Sequence, residues 1–234
     1  KTDFIGVISI PHSGLVIPDE FKSYLHENND FLMQDVDFGV HDLVNIEQLQ
    51  LAGIGVVKAN ISRVAIDLNR PEDRCLLTWK KNSHGVDIVV SEPASEEIAQ
   101  QLIGSYYLPY FEMLRALINE LKTKMKVASF VDLHSMPSKA TAYHLAITPK
   151  QNPNRPDFCI SDQKGKTCGP KYIKNISEEL SKSFGKITNN DPYFGGHITV
   201  EIDRLFPDDN NIQIEINRKL YMDEKKFTFL PEEK

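Results

Sequence analysis

The stretch Ser62-Arg63-Val64-Ala65-Ile66-Asp67-Leu68-Asn69-Arg70-Pro71 combines apolar residues that predict a β-strand with a polar exit from it. Arg63, Asn69 and Arg70 stand within eight residues of one another. A guanidinium group holds a carboxylate through two parallel hydrogen bonds, and open α/β sheets bind ligands at the carboxyl ends of their strands. The stretch therefore predicts a site for a small anion at a strand end. A structural ion pair, Arg70 with Asp67 or Arg63 with a glutamate, accounts for the same residues without a ligand.

Segments with strand and helix patterns alternate along the rest of the chain. Extended segments are predicted over residues 4–10, 56–66, 127–133 and 212–216, and helices from residue 18, over 38–51, from 95 to about 126 and over 170–184. Pro109 lies inside the longest helical pattern and should kink or divide it. Residues 71–93 and 152–169 are predicted to be loops. The alternation indicates a three-layer α/β/α fold with a mostly parallel or mixed central sheet.

The composition, 41% hydrophobic and 26% charged over 234 residues, indicates one globular domain spanning 1–234. The net charge of −6 argues against a nucleic-acid partner, which would require a basic face. The chain has no run of about eighteen apolar residues, so we expect no transmembrane helix and no membrane partner. The first residues form a strand pattern without a signal-peptide layout, which predicts a cytoplasmic protein, while the missing initiator Met leaves export open.

The three cysteines are odd in number and show no C-x-x-C spacing. We expect Cys75, Cys159 and Cys168 to be reduced thiols, with a Cys159–Cys168 disulfide as the alternative.

Two histidines directly follow or end predicted strands and are candidate metal ligands. His12 comes after the strand at residues 4–10, and His134 comes at the end of the strand at residues 127–133. A single histidine at such a place is more often a hydrogen-bonded structural residue, but two at two strand ends favour a shared site. Imidazole nitrogens suit zinc, and a catalytic zinc usually has three protein ligands.

The third ligand should be a histidine or a carboxylate. Asp35 and Asp37 lie at a helix start, where either could simply cap the helix. His41 is a weaker candidate.

Glu215 lies between Ile214 and Ile216 in a predicted strand whose alternation places Gln213 and Glu215 on one face. In a central strand a carboxylate is costly unless it faces a polar site, whereas on an edge strand it would be ordinary solvent exposure. A glutamate near an activated water would act as a general base.

Taken together, these segments resemble the N-formylglutamate amidohydrolase family, a branch of the zinc-dependent exopeptidase-like (phosphorylase/hydrolase-like) fold. The matching pieces follow the family's order and are Ile10-Pro11-His12-Ser13-Gly14, Asp35-Val36-Asp37-Phe38, the stretch at residues 62–71, Asp132-Leu133-His134-Ser135, Gly195-Gly196-His197-Ile198-Thr199, Ile212-Gln213-Ile214-Glu215 and Leu220-Tyr221-Met222-Asp223. Residues 67–70 and 133–135 also look like zinc carboxypeptidase segments. The carboxypeptidase His-x-x-Glu pair is absent, because position 15 is Leu15.

The resemblance implies a zinc hydrolase that acts on a small N-acyl amino acid, with N-formyl-L-glutamate as the leading substrate. The implied metal ligands are His12, Asp37 and His134, with Asp35 as the alternative for Asp37. The remaining implied roles are as follows: Glu215 as general base, Arg63 at the oxyanion, Asn69 and Arg70 at a substrate carboxylate, and Gly196 and His197 in substrate binding. A carboxypeptidase or amidase that acts on a larger acyl-amino acid or a cell-wall peptide is one alternative. A metal-free ligand-binding descendant is another.

Overall fold

The computed structural model describes residues 5–25, 32–76, 81–82, 84–89 and 96–231. Its central sheet has the strand order β2-β1-β3-β6-β4-β5. These strands are β1 (Gly6–Ile10), β2 (Ile54–Lys58), β3 (Ser129–Met136), β4 (Phe158–Ser161), β5 (Ile187–Asn189) and β6 (Asn210–Asn217). The four neighbouring strands β2, β1, β3 and β6 are parallel to one another. β4 runs antiparallel to β6, and β5 runs parallel to β4. A separate two-stranded sheet pairs β7 (Met222–Asp223) with β8 (Thr228–Phe229).

The helices surround this sheet. They are α1 (Asp19–Lys22), α2 (Leu32–Asp35), α3 (Ile46–Leu51), α4 (Glu96–Leu102), α5 (Leu108–Lys122), α6 (Ala142–Ile147), α7 (Pro170–Leu180) and α8 (His197–Leu205). A π-helical segment, Ile103–Tyr107, joins α4 to α5 directly before Pro109. The predicted division of the long helix at Pro109 is therefore confirmed, whereas its predicted start at residue 95 lies outside the described residues.

Two apolar layers cover the two faces of the sheet. Val7 and Phe130 point toward α5 and α8, where Leu114 and Ile202 are fully buried. On the other face, the side chain of Ile212 packs with those of α7, and Ile10 packs in a second cluster. Burial of a Leu or Ile side chain is worth about 1.5–3 kcal/mol relative to exposure. The predicted three-layer α/β/α fold with a mixed central sheet is confirmed.

The prediction of a strand over residues 61–66 is wrong. The strand is β2, and it ends at Lys58. Residues beyond it form turns, with Ala65 N donating to Ser62 O at 3.0 Å, and only Ile61 pairs, in an isolated parallel bridge with Val16. The apolar side chains in this stretch are buried because the turns fold them into the core, not because they alternate along a strand.

Two further expectations differ from the structure. The predicted loop at residues 152–169 contains β4, a four-residue buried strand whose signal is too short to stand out among flanking proline and glycine. The helix predicted over 38–51 is two pieces, a 3-10 turn at Val40–Asp42 and then α3, because Asn45 caps α3 by accepting a hydrogen bond from Gln48 N. The predicted loop at 71–93 contains a 3-10 turn at Glu72–Arg74 and otherwise lies partly outside the described residues.

All three cysteines are free and buried, as expected for reduced thiols. Across the described ranges, no helix has both the length and the apolar character needed to cross a membrane.

Candidate active site

A cavity of about 490 Å³ opens where the parallel strands end, a volume suited to a small-molecule ligand. His12 lies two residues beyond β1, while His134 and Glu215 lie directly opposite each other near the ends of β3 and β6. Carboxyl ends of parallel strands share one edge of the sheet, so these three side chains converge on the cavity, which all of them line. Because β6 is a central strand, Glu215 is not a solvent-exposed edge residue.

His12, Asp37 and His134 form a buried group that could hold a metal ion. Their potential ligand atoms all lie within 4.8 Å of one another. His12 Nδ1 lies 3.8 Å and His134 Nδ1 lies 3.0 Å from Asp37 Oδ2. The set of two imidazoles and one carboxylate is typical of catalytic zinc sites.

His12 has the tautomer that a metal ligand needs. Its Nε2 lies 2.7 Å from Asp67 Oδ1. Burial alone would raise the pKa of Asp67, but the Arg63 charge and the bond to His12 hold it well below its ordinary value. The ionised Asp67 fixes the hydrogen on Nε2 of His12, so Nδ1 presents a lone pair, and this buried atom has no hydrogen-bond partner in the described parts of the chain. Burial and the Arg63 charge also lower the pKa of His12, which keeps the ring neutral.

His134 is held between two carboxylates. Its Nε2 lies 2.8 Å from Asp132 Oδ2 and its Nδ1 lies 3.0 Å from Asp37 Oδ2. Burial opposes the charged ring, but the Asp132 charge and the bonds to both carboxylates raise its pKa well above the ordinary value. A hydrogen on His134 Nδ1 would bridge to Asp37 Oδ2, and a cation bound by this group would take its place. Asp132 is itself fixed by Ser9, whose Oγ donates to Oδ1 at 2.7 Å.

Asp37 is oriented by a buried arginine that the sequence analysis missed. Arg218 Nη2 donates to Asp37 Oδ1 at 3.2 Å and to Val36 O at 2.8 Å. Ser135 Oγ donates to the same Asp37 oxygen at 3.3 Å. Burial would raise the pKa of Asp37, but the bond to His134 and nearby positive charges lower it. The only sequence signal for Arg218 is its position at the polar exit of β6.

The two weaker ligand candidates are placed differently. Asp35 is buried and lines the cavity, but it is not part of the three-residue group. Its backbone oxygen lies 3.4 Å from Arg63 Nη1. His41 lies on the 3-10 turn at Val40–Asp42 and pairs with Asp42 at 3.5 Å, away from the cavity lining.

Arg63 and Arg70 both contact Asp67. Arg63 Nη2 lies 2.6 Å and Arg70 Nε lies 3.4 Å from Asp67 Oδ2. The structural Arg70–Asp67 pair considered from the sequence is thus present, and the partner of Arg63 is an aspartate rather than a glutamate. Both arginines line the cavity, and two guanidinium groups beside one carboxylate leave a net positive charge there. Asp67 thus supports His12, and the two arginines make this part of the cavity lining positively charged.

Asn69 and Gly196 meet at the start of α8. Asn69 Oδ1 accepts a hydrogen bond from Ile198 N at 2.8 Å. A Cβ on Gly196 would lie 2.2–2.5 Å from Asn69 side-chain atoms, so only glycine fits. Gln213 Oε1 accepts from Gly196 N at 2.6 Å, and Gln213 Nε2 donates to Glu215 Oε1 at 2.8 Å. A chain of hydrogen bonds therefore connects this turn to Glu215.

Glu215 is set up to exchange a proton near neutral pH. Its side chain is buried and accepts a hydrogen bond from Gln213. Burial raises the pKa of Glu215 to about 7, against the nearby positive charges of His134 and Arg218. A carboxyl group with such a pKa serves well as a general base and acid.

The structure does not bring His197 to the cavity. Its Nε2 lies 3.1 Å from the Tyr107 hydroxyl, and its ring packs on Phe111 with centroids 5.7 Å apart. Tyr107 in turn donates to Arg70 O at 2.9 Å. His197 therefore lies behind the Arg70 turn, because the first turn of α8 directs its side chain toward α5.

Comparison with known proteins gives a consistent set of relatives. The sequence model of the family described as "N-formylglutamate amidohydrolase" matches residues 6–222. N-formylglutamate deformylase of Pseudomonas putida is 27% identical over 234 residues, covering 95% of this chain and 84% of that protein. The protein of the same name from Pseudomonas aeruginosa is 25% identical over 231 residues, covering 94% and 82% respectively.

Solved structures agree with the fold. N-formylglutamate amidohydrolase from Ralstonia eutropha JMP134 matches with a TM-score of 0.79 and 25% identity, covering 98% of this chain and 87% of that one. A gene product of Agrobacterium tumefaciens matches with a TM-score of 0.71 and 18% identity, covering 97% and 85%, and supports the fold alone. The likeness of residues 67–70 and 133–135 to zinc carboxypeptidases stays a prediction from sequence. With the family model matching nearly the whole chain, this chain belongs to the N-formylglutamate amidohydrolase family.

Proposed function

We propose that this chain is a zinc-dependent amidohydrolase that cleaves a linear amide next to a carboxylate, with N-formyl-L-glutamate hydrolysed to formate and L-glutamate. The observation that carries the proposal is the buried His12–Asp37–His134 group facing the same cavity as Glu215. The relatives named N-formylglutamate deformylase support the substrate.

His12, Asp37 and His134 would hold the zinc ion. His12 Nδ1, which has no hydrogen-bond partner among the described residues, and the 3.0 Å contact between His134 Nδ1 and Asp37 Oδ2 fit a cation at this position. A zinc ion there would supply Lewis acidity, which polarises the amide carbonyl and acidifies water. Asp67, Asp132 and Arg218 would keep the three ligands in place, as carboxylates behind histidine ligands commonly do.

Glu215 would move the proton. It removes a proton from the attacking water as the new C–O bond forms at the formyl carbon. It then delivers that proton to the amide nitrogen as the C–N bond breaks, which releases formate and the amino acid. A pKa of about 7 suits both steps, and the bond from Gln213 holds one carboxylate oxygen so that the other can act.

Asp67 offsets only part of the positive charge of Arg63 and Arg70, and the remaining charge would act on the substrate. Arg63 would meet the negative charge that develops on the carbonyl oxygen, where one such donor is worth roughly 3 kcal/mol. Arg70, with its side chain half exposed, would bind the substrate carboxylate next to the amide, supported by Asn69. Gly196 would contribute indirectly, because the space that a Cβ would fill is taken by the Asn69 side chain.

The test measures zinc content and hydrolysis of N-formylglutamate on the same preparation. We expect about one zinc per chain, formate release that a chelator abolishes, and loss of both zinc and activity in His134→Ala. Asp35→Asn, a buried neighbour outside the ligand group, is the matched control and should keep its zinc. Full zinc occupancy in both His12→Ala and His134→Ala would refute the metal site, and no hydrolysis by zinc-loaded protein would refute the substrate.

A larger acyl-amino acid is the second candidate substrate, because the cavity extends beyond the metal group to α6. Tyr143 and Ile147 line it there, and Ile147 is 65% exposed. An apolar surface at this place could hold an acyl group larger than formyl. A series of N-acyl-glutamates of increasing acyl length separates the two candidates: a deformylase loses activity beyond formyl, whereas an amidase gains it.

A further inference from the structure

Arg155 is a buried arginine without a counter-charge in the described chain. It is only 5% exposed, and its Nε and Nη1 have no hydrogen-bond partner among the described residues. Burial of a guanidinium group without an anion is costly, and the group is usually paired in a folded protein. An anionic ligand bound nearby would supply the missing counter-charge.

The backbone places Arg155 at the same edge of the sheet as the active site. Arg155 N donates to Ser138 O at 3.1 Å, just beyond the end of β3. Arg155 O accepts from Asn217 Nδ2 at 3.4 Å, at the end of β6. These are the strands that carry His134 and Glu215.

The Arg155 guanidinium stacks on Tyr193, whereas Arg155 itself is not among the residues that line the cavity. The guanidinium carbon lies 5.5 Å from the centre of the Tyr193 ring, and Tyr193 lines the cavity. Burial raises the pKa of the Tyr193 hydroxyl, the Glu215 charge adds to this, and the Arg155 charge opposes it. The hydroxyl therefore stays protonated as a donor. A cation–π contact does not satisfy the guanidinium N–H groups, so this stacking alone leaves Arg155 incompletely partnered.

His144 adds a donor of fixed direction on α6. Its Nδ1 lies 3.3 Å from Thr141 N and 3.1 Å from Thr141 Oγ1, as part of a capping box. Because Nδ1 accepts these bonds, the hydrogen of the neutral ring is on Nε2. His144 lines the cavity. Burial and the Arg155 charge lower the pKa of His144, which keeps this ring neutral.

We propose that Tyr193 and His144, with Arg155 behind them, form a second carboxylate subsite, called here the Arg155 wall. This inference rests on the proposed function. It gives the two carboxylates of N-formylglutamate separate binding places: the carboxylate next to the amide binds at Arg70, and the side-chain carboxylate binds at the Arg155 wall. Tyr193 and His144 contact that carboxylate, while Arg155 is a positioning residue that supplies the counter-charge.

The test compares N-formylglutamate with N-formylglutamine, two molecules of nearly equal size that differ in the charge of the side chain. The native enzyme should prefer the glutamate compound by at least ~10-fold in kcat/KM. Arg155→Met should abolish most of this preference, mainly through KM for the glutamate compound, and leave kcat/KM for the glutamine compound within about twofold. Arg155→Lys should restore part of the preference, which a purely structural role would not require. Arg204→Met, which removes an exposed arginine paired with Glu201, is the matched control and should change nothing.

A binding experiment separates failure of this inference from failure of the proposed function. Glutarate and its monoamide, titrated into native protein, should bind unequally, and Arg155→Met should remove the difference even if the protein cleaves no N-formyl amino acid. An unchanged glutamate-to-glutamine ratio in a folded Arg155→Met protein, or equal binding of the two probes by native protein, would overturn the inference. If Arg155→Met does not fold, the same kinetic ratio and the same titration are measured on His144→Phe. An unchanged glutamate-to-glutamine ratio in that variant, or equal binding of the two probes by native protein, would then overturn the inference.

Discussion

Two arginine clusters differ in how their charge is paired: Arg63 and Arg70 line the cavity, whereas Arg155 stacks on Tyr193, which lines it. In the turn after β2, Arg63 and Arg70 converge on Asp67, which also holds His12. On the Arg155 wall, the guanidinium group has no anionic partner in the described chain and stacks on Tyr193. The two guanidinium groups of the first cluster share one carboxylate, and in the proposed function this cluster would support the metal ligand His12 as well as bind the substrate. The second cluster has no paired anion among the described residues, so we expect a ligand charge to matter most there.

Among changes to the first cluster, Arg63→Ala should have the largest effect on activity. If Arg63 meets charge that forms only in the transition state, kcat and kcat/KM should fall together by roughly 10²–10³-fold, with little change in KM. Steady-state kinetics on N-formylglutamate check this, with zinc content as the control. An increase in KM alone would mean that Arg63 binds the ground state.

Asp67→Asn should weaken metal binding by roughly 10–100-fold, because His12 loses the carboxylate that fixes its tautomer. The same change leaves Arg63 and Arg70 without their shared anion, so the free energy of unfolding should fall by about 3 kcal/mol. Competition with a zinc chelator and chemical denaturation measure the two effects. Asp73→Asn, at an exposed aspartate of the same turn region, is the control that should leave both quantities unchanged. Native zinc affinity in Asp67→Asn would remove Asp67 from the support of His12.

Arg70→Lys should have the smallest effect, an increase in KM of about tenfold, since a point charge cannot replace the planar fork. The α-amide of N-formylglutamate should be a poor substrate for native enzyme and should be little affected by Arg70→Lys. Equal kcat/KM for the acid and its α-amide would show that Arg70 forms only the structural pair with Asp67.

The sequence was enough to predict site residues that lie within a single strand or directly after it. His12, His134 and Glu215 each follow or lie within an apolar strand, so their positions could be inferred from local pattern. The supports could not, because they are tertiary: Asp67 is 55 residues from His12, and Arg218 is 181 residues from Asp37. No local pattern brings such pairs together.

The failures in the fold have a similar cause. Residues 61–66 are buried by turns that pack against the core, and apolar composition alone does not distinguish this from a strand. β4 has only four residues, fewer than a periodic signal needs, and depends on its pairing with β6. Arg155 lies just before β4, in a segment assigned to a loop, so nothing in the sequence marked it as buried.

The most direct test of the central claim is Glu215→Gln, measured for zinc and for turnover in one preparation. Because Glu215 faces the metal group without belonging to it, the variant should keep its fold and about one zinc per chain. Its kcat for N-formylglutamate should fall by roughly 100-fold or more, since the amide cannot accept the proton of the attacking water. A variant with native zinc and a near-native kcat would contradict the account, because the proposed mechanism assigns the proton transfer to Glu215 and to no other carboxylate.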